Sequence, residues 1–389
     1  QPVRVGALDN AAYLPRRVTT YYQRLRDEGY RVGCIGKLDL AKPDSYNGRY
    51  GDRPCVYTWG FTHPEECEGK MHAGSSPTPL GPYGFYLQER GLYQAFHEDY
   101  RARAAEGWVR DAHRDSVLPT EAFEDAYIGR RAAAWLESVP TDFPWHYFVS
   151  FVGPHNPFDP PTEYAEHFRD APMPDPIADT MEGKPDWVRA KDQGLTPEEI
   201  TVTQRQYCAA IELIDDQIGQ MMDVLESRGM LENTVIVYTS DHGEMLGDHG
   251  LYTKSVPYEA SVRIPLIVAG PGIERGVSDA LVELIDLNPT VCELAGLPPE
   301  EDIDARTLVP VLTGEREAHR TETVSAIRNF RCLRTAQVKY VEHLNDRDEL
   351  YDLGEDPHEL VNLADAQPER RRALSRQLHA RYLEGQWRR

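Results

Sequence analysis

Nowhere in these 389 residues does an apolar run approach the roughly 20 residues that a membrane-spanning helix needs, so no spanning helix is expected. Positive charge is also scarce. Lys and Arg number 42 against 64 Asp and Glu, a formal net charge of -22. That balance argues against a nucleic-acid backbone or an anionic membrane as the main partner. A small anionic substrate remains compatible with it, because a local cationic pocket can override the global field. The six cysteines, Cys34, Cys55, Cys67, Cys208, Cys292 and Cys332, are scattered and form no CxxC pair, which removes the usual zinc-cluster signatures. Their spacing fixes no disulfide. There is no internal repeat and no low-complexity tract. The chain opens at Gln1 without an initiator Met or a signal peptide, so its localisation is not readable from this start.

What is present is the composition of a globular protein, 40% hydrophobic and 27% charged, in a chain long enough for two domains. One grammar recurs three times: helix, short apolar strand, polar turn. Residues 18–28 read as a helix closed by Gly29, then a strand over 31–35 and the turn Gly36-Lys37-Leu38-Asp39. Residues 121–136 form the second helix, 146–151 its strand, and Gly153-Pro154-His155-Asn156-Pro157 its turn. In the third, Ile211, Ile214, Ile218, Met221, Met222 and Leu225 recur at helical spacing before Gly229. A strand over 234–239 follows and stops at Asp241-His242-Gly243. A fourth strand, 265–269, ends in Gly270-Pro271-Gly272. Alternation of this kind predicts an α/β sheet layered by helices, with ligands beyond the carboxyl ends of the strands, where the polar turns fall.

Two stretches interrupt the pattern. Residues 41–114 read as a long irregular region rich in Gly, Pro, Tyr and His, a candidate for recognising the organic part of a substrate. Residues 169–199 read as a surface excursion. Beyond about residue 314, segments 338–342 and 349–353 look like edges of a small antiparallel sheet, covered by an Arg-rich helix over 368–383.

Asp241-His242 pairs a carboxylate with an imidazole, a combination suited to a divalent cation of intermediate hardness. Two ligands are too few, and an Asp capping the next helix is the competing account. Asp248-His249-Gly250 reads as a turn with a satisfied His. Lys254 and Lys37 are each open to two readings, a solvated lysine or a cation facing a tetrahedral oxyanion. Asp39 would either pair with Lys37 or contact substrate. Glu259 and Arg263 suggest a structural ion pair. His155, at a strand end between Pro154 and Pro157, is placed to pass a proton to a leaving group, against the alternative of a loop histidine without a role.

Together these segments resemble the sulfatase family of the alkaline phosphatase superfamily. RLRDEGYRVGCIGKLDL is similar to the family's Gly-Tyr and Gly-Lys segment, FVSFVGPHNPFDPP to its substrate-histidine loop, and NTVIVYTSDHGEMLGDHGLYTKSVPYEASVRIPLIVAGPG to its metal-binding region. ELYDLGEDPHELVNL resembles its C-terminal signature. The resemblance implies an alkaline-phosphatase-like α/β/α sandwich with a large, mostly parallel central sheet, plus a small C-terminal antiparallel-sheet subdomain. The expected division is 1–315 and 316–389.

The implied activity is metal-dependent hydrolysis of a sulfate monoester, such as that of a sulfated carbohydrate. Asp241 and His242 would be metal ligands, Lys37 and Lys254 would bind sulfate oxygens, and His155 would assist the leaving oxygen. Asn10 and Asp39 would contact substrate. The expected ion is Ca2+, with Mn2+ or another transition metal as the alternative. Asp39 stands where the family often has a second histidine. The family's first-strand Asp ligands, and its Cys- or Ser-x-Pro-x-Arg motif bearing the formylglycine nucleophile, have no match, and both are expected upstream of Gln1. The alternatives are a phosphonate monoester or phosphodiester hydrolase of the same superfamily, and a non-catalytic binding protein lacking the nucleophile.

Overall fold

A computed structural model describes residues 6, 12–40, 44, 46–107, 114–301 and 303–387. The chain divides into two compact units, one drawn from Asn10–Pro174 and Leu195–Asn233, the other chiefly from Asp175–Gly194 and Thr234–Arg389.

The first unit is built on a parallel sheet of β1 (Arg31–Gly36), β2 (His63–Glu66) and β3 (Trp145–Ser150) in the order β2-β1-β3. Gly36 lies opposite Glu66 on one side and Ser150 on the other, so the three strands end level. The helix Tyr21–Asp27 that leads into β1 starts at a capping box, in which Thr20 Oγ1 accepts from Gln23 N and the Gln23 side chain accepts from Thr20 N. Gly29, at φ +89°, turns the chain out of it. The long helix Pro197–Ser227 opens with the same device, Thr196 and Glu199, and has proline in its first turn.

The stretch read as irregular, 41–114, contains the helices Pro54–Thr58, Lys70–Ser75, Pro82–Glu89 and Tyr93–Glu106 as well as β2. Two of its prolines, Pro54 and Pro82, occupy helix starts, where a missing N–H costs nothing. Four of its aromatics, Tyr83, Tyr93, Phe96 and Tyr100, are core and pack with Ile35, Ile128 and Ala132.

In the second unit β4 (Ile236–Thr239) pairs antiparallel with β5 (Leu266–Ala269). Four strands, β6 (Glu322–Ile327), β7 (Phe330–Thr335), β8 (Val338–His343) and β9 (Glu349–Asp352), make an antiparallel meander. The helix Pro368–Trp387 lays Leu374 and Leu378 on Leu333, Tyr340 and Leu350 of this sheet. Within 169–199, residues 175–194 are structural rather than a surface excursion. Asp179 and Lys184 are buried together, Nζ to Oδ2 3.3 Å, and Val188 is buried with Met245 and Tyr351. The six cysteines are free thiols. No helix among the described residues is long and apolar enough to cross a membrane.

One buried charge cluster contributes to how this second unit responds to acid. The fully buried Lys339 ammonium lies 2.7 Å from Glu259 and 2.6 Å from Glu359, and Arg334 adds a bond to Glu259 at 3.1 Å. Burial pushes the Glu259 carboxyl up, but Lys339 and Arg334 outweigh it and hold the group down at about 2. A depressed carboxylate contributes stability above its unfolded value of about 4.5 and loses it as pH falls toward 2. Acid titration of the unfolding free energy is therefore expected to show a loss on the order of 2–3 kcal/mol over that window, and Glu259→Gln should remove this slope.

Candidate functional site

The first unit places Lys37, Asp39 and His155 just beyond the carboxyl ends of β1 and β3. Gly36, at φ +98°, is where the strands touch: a Cβ there would lie 1.9 Å from the Ser150 carbonyl oxygen, so no side chain fits. Ser150 Oγ then donates to the Lys37 carbonyl at 2.7 Å. Lys37 Nζ pairs with Asp39 Oδ2 at 2.7 Å, both side chains about one-third exposed or less. Asp39 thus takes the first of its two readings in this structure, in a left-handed conformation at φ +56°.

His155 is half-buried, and its Nδ1 lies 2.7 Å from the Asn156 carbonyl. A carbonyl only accepts, so the proton sits on Nδ1 and the neutral ring presents its lone pair at Nε2. Acting as an acid, His155 must therefore be the imidazolium and give up the Nε2 proton. Its loop contains two cis peptides, Gly153-Pro154 and Asn156-Pro157.

Two buried acids hold that loop. Asp125 accepts from Val152 N at 2.7 Å and Gly153 N at 2.9 Å. Asp159 accepts from Lys70 Nζ at 2.8 Å and Tyr100 OH at 2.9 Å, while Lys70 also donates to the Pro157 carbonyl at 2.7 Å. Sequence reasoning missed all four of these residues. Asp159 left the only signal, in the Phe-Asp-Pro-Pro that follows the histidine turn.

In the second unit, Asp241 and His242 follow β4. His242 Nδ1 is 2.8 Å from the Gly243 carbonyl, which by the same argument puts the lone pair on Nε2, 3.5 Å from Asp241 Oδ2. An imidazole that donates one N–H to a backbone carbonyl and shares a side with a carboxylate is the donor arrangement metal-binding histidines use. The pair therefore fits a divalent ion as part of a ligand set, and Asp241 is mostly exposed, open to further ligands. Among the described residues, no cluster of three or more His, Cys, Asp and Glu is poised to hold a metal. Gly243 is required by contact: a Cβ would meet the Ala260 carbonyl oxygen at 2.0 Å.

Lys254 lies at the far side of the same loop, half-buried. Its neighbours Thr253 and Ser255 have φ +60° and +70°, a backbone that persists only when its surroundings enforce it. Glu244 supplies one such restraint, accepting from Thr253 N and from Leu246 N. Burial pushes the Glu244 carboxyl up to about 7 against the pull of these bonds and of Lys254. His249 is the satisfied turn histidine expected, buried with Nδ1 2.6 Å from Asp179. Glu259 is in an ion pair, but with Lys339 and Arg334 rather than Arg263. Asn10 lies outside the described residues.

The fold is that of solved alkaline-phosphatase-like hydrolases. The phosphonate monoester hydrolase of Silicibacter pomeroyi superposes with a TM-score of 0.79 at 22% identity over 99% of this chain and 83% of its own. BT4656, solved with its substrate D-glucosamine-2-N,6-O-disulfate, gives 0.73 at 20% identity over 98% and 86%. The chain belongs to the sulfatase family, whose model matches residues 2–297; a second model, N-sulphoglucosamine sulphohydrolase, C-terminal, matches 247–386. Among its relatives is the choline-sulfatase of Rhizobium meliloti, 28% identical over 94% of this chain and 70% of the relative. The family is metal-dependent.

Proposed function

We propose that this protein hydrolyses a sulfate monoester, with a sulfated carbohydrate as the substrate class. The observation that carries the reading is the Asp241-His242 pair, with its imidazole tautomer set by Gly243, inside the segment the sulfatase model matches. Asp241 and His242 would hold a divalent cation, Ca2+ by family precedent, with Mn2+ compatible with an imidazole ligand. When bound, the ion supplies Lewis-acid neutralisation of sulfate oxygens.

The remaining roles fall to side chains. Lys37 and Lys254 bind sulfate oxygens and stabilise charge as the ester bond breaks. Asp39 keeps Lys37 oriented while it waits for substrate. His155, protonated, gives its Nε2 proton to the departing alcohol oxygen. The functional division we favour is a catalytic region over 1–315 and a C-terminal subdomain over 316–389. The net charge of -22 disfavours nucleic acid as a partner.

Phosphonate monoester hydrolysis is the second reading, because enzymes of that kind share the fold. Matched aryl sulfate, aryl phosphonate and phosphodiester substrates separate the two. The sulfate is expected to give the highest kcat/KM, and a clear preference for either phosphorus ester would overturn the sulfatase assignment.

A further inference from the structure

Beside the Lys37 end of the parallel sheet stands a polar group that folding alone does not explain. Arg53 is 9% exposed in its side chain. It bonds Glu66, the last residue of β2, through Nε and Nη2, both at 2.7 Å. That bidentate grip fixes the guanidinium rigidly. Its remaining nitrogen, Nη1, is buried and has no hydrogen-bond partner. The nearest acid oxygen there, Asp44 Oδ2, is 3.7 Å away, too far for a direct bond. A buried donor left unmade costs free energy and calls for a reason.

The groups beside this nitrogen are exposed. Asp44 is 44% exposed in its side chain and Tyr13 51% exposed, and Tyr13 OH donates to Asp44 Oδ1. The Tyr13 segment is tied to the end of the Lys37 turn, since Leu14 N donates to the Leu40 carbonyl at 3.2 Å. Two further tyrosines on the same stretch of chain, Tyr46 and Tyr50, are 55% and 68% exposed, although a tyrosine ring is costly to leave in water.

We propose that Arg53, Asp44 and Tyr13 form a subsite for the hydroxyl groups of a neutral sugar ring, with Tyr46 and Tyr50 as apolar faces beside it. This extends the sulfate-ester reading to the organic half of the substrate. A hydroxyl both accepts and donates. It can take the unmet Arg53 Nη1 bond and give its own proton to Asp44 Oδ2, while the Tyr13 hydroxyl stays on Asp44 Oδ1 and holds the carboxylate in place. An anionic group would face the carboxylates of Asp44 and Glu66. A quaternary ammonium would suit Asp44 and the rings but would oppose Arg53 and leave its donor unmet. Of these three ligand classes, the neutral polyol satisfies every group.

Arg53 itself is a poor test position, because its loss strands the buried Glu66. Asp44→Asn and Tyr13→Ala, both at exposed side chains, are the informative variants, made in the protein expressed from its complete coding sequence. The ratio of kcat/KM for 6-sulfated N-acetylglucosamine to that for an aryl sulfate is expected to fall about tenfold or more in each. Saturation-transfer NMR with unsulfated N-acetylglucosamine should detect binding to the parent protein and lose it in the variants. An unchanged ratio, no sugar binding to the parent, or tighter binding of choline than of the sugar would each overturn the subsite. Absence of sulfate release from any ester, with sugar binding present and lost in the variants, would overturn the hydrolase reading and leave the subsite standing.

Discussion

Asp241→Ala, in the protein expressed from its complete coding sequence, is expected to abolish stoichiometric metal binding and sulfate-ester turnover together. The alanine leaves His242 Nε2 without its carboxylate neighbour at 3.5 Å. Loss of an outer-sphere partner alone typically costs 10–100-fold in metal affinity or activity; loss of a direct ligand should exceed that, with turnover falling by about 10³-fold or more. Asp241 is mostly exposed, so the fold should tolerate the change and the thermal midpoint should move little. Metal analysis of the purified variant and initial rates across a metal titration are the two measurements. A variant that keeps one equivalent of tightly bound metal would remove Asp241 from the ligand set, whatever its activity.

Lys70→Met should have the largest effect on stability. Lys70 and Asp159 are both essentially buried and 2.8 Å apart, and the substitution leaves the aspartate as an uncompensated buried charge. Breaking such a pair costs about 3–5 kcal/mol, to be read from denaturant unfolding. The double variant Lys70→Met/Asp159→Leu provides the discriminating measurement. If the penalty is the stranded charge, the double variant recovers a large part of it, because two apolar groups of similar size replace the pair. If the double variant is as unstable as the single, the bonds from Lys70 to the Pro157 carbonyl and from Tyr100 to Asp159 are the parts that matter. Because the Lys70 bond anchors the loop carrying His155, kcat in the single variant should fall even at temperatures where the protein remains folded.

These two residues also mark the limits of what the sequence discloses. The strand end before Asp241 was legible because a strand that stops at Asp-His-Gly is a local signal, and so were the strand ends at Lys37 and His155. Lys70 was not, because its role depends on a partner 89 positions away and no local pattern encodes it. The stretch 41–114 misled for a related reason: Gly and Pro punctuate loops and also begin helices, and only the burial of Tyr83, Phe96 and Tyr100 decides which. Arg53 was equally hidden. Its interest lies in one nitrogen left over after Glu66 is satisfied, which is a property of packing rather than of spacing.

The partners of Lys184 and Lys339 carry a consequence for how the chain is made. Lys184 donates to the Glu359 carbonyl at 2.7 Å and to Tyr351 OH at 3.1 Å, and Lys339 pairs with the Glu359 carboxylate. During synthesis, residue 184 waits for some 170 further residues before those acceptors emerge, a delay of roughly ten to thirty seconds at common translation speeds. A ribosome that stops short of Glu359 therefore releases a chain with two ammonium groups whose interior places have not been completed. A premature stop that removes Glu359 should be as damaging as one far upstream, because Glu359 closes a charge balance begun at Lys184.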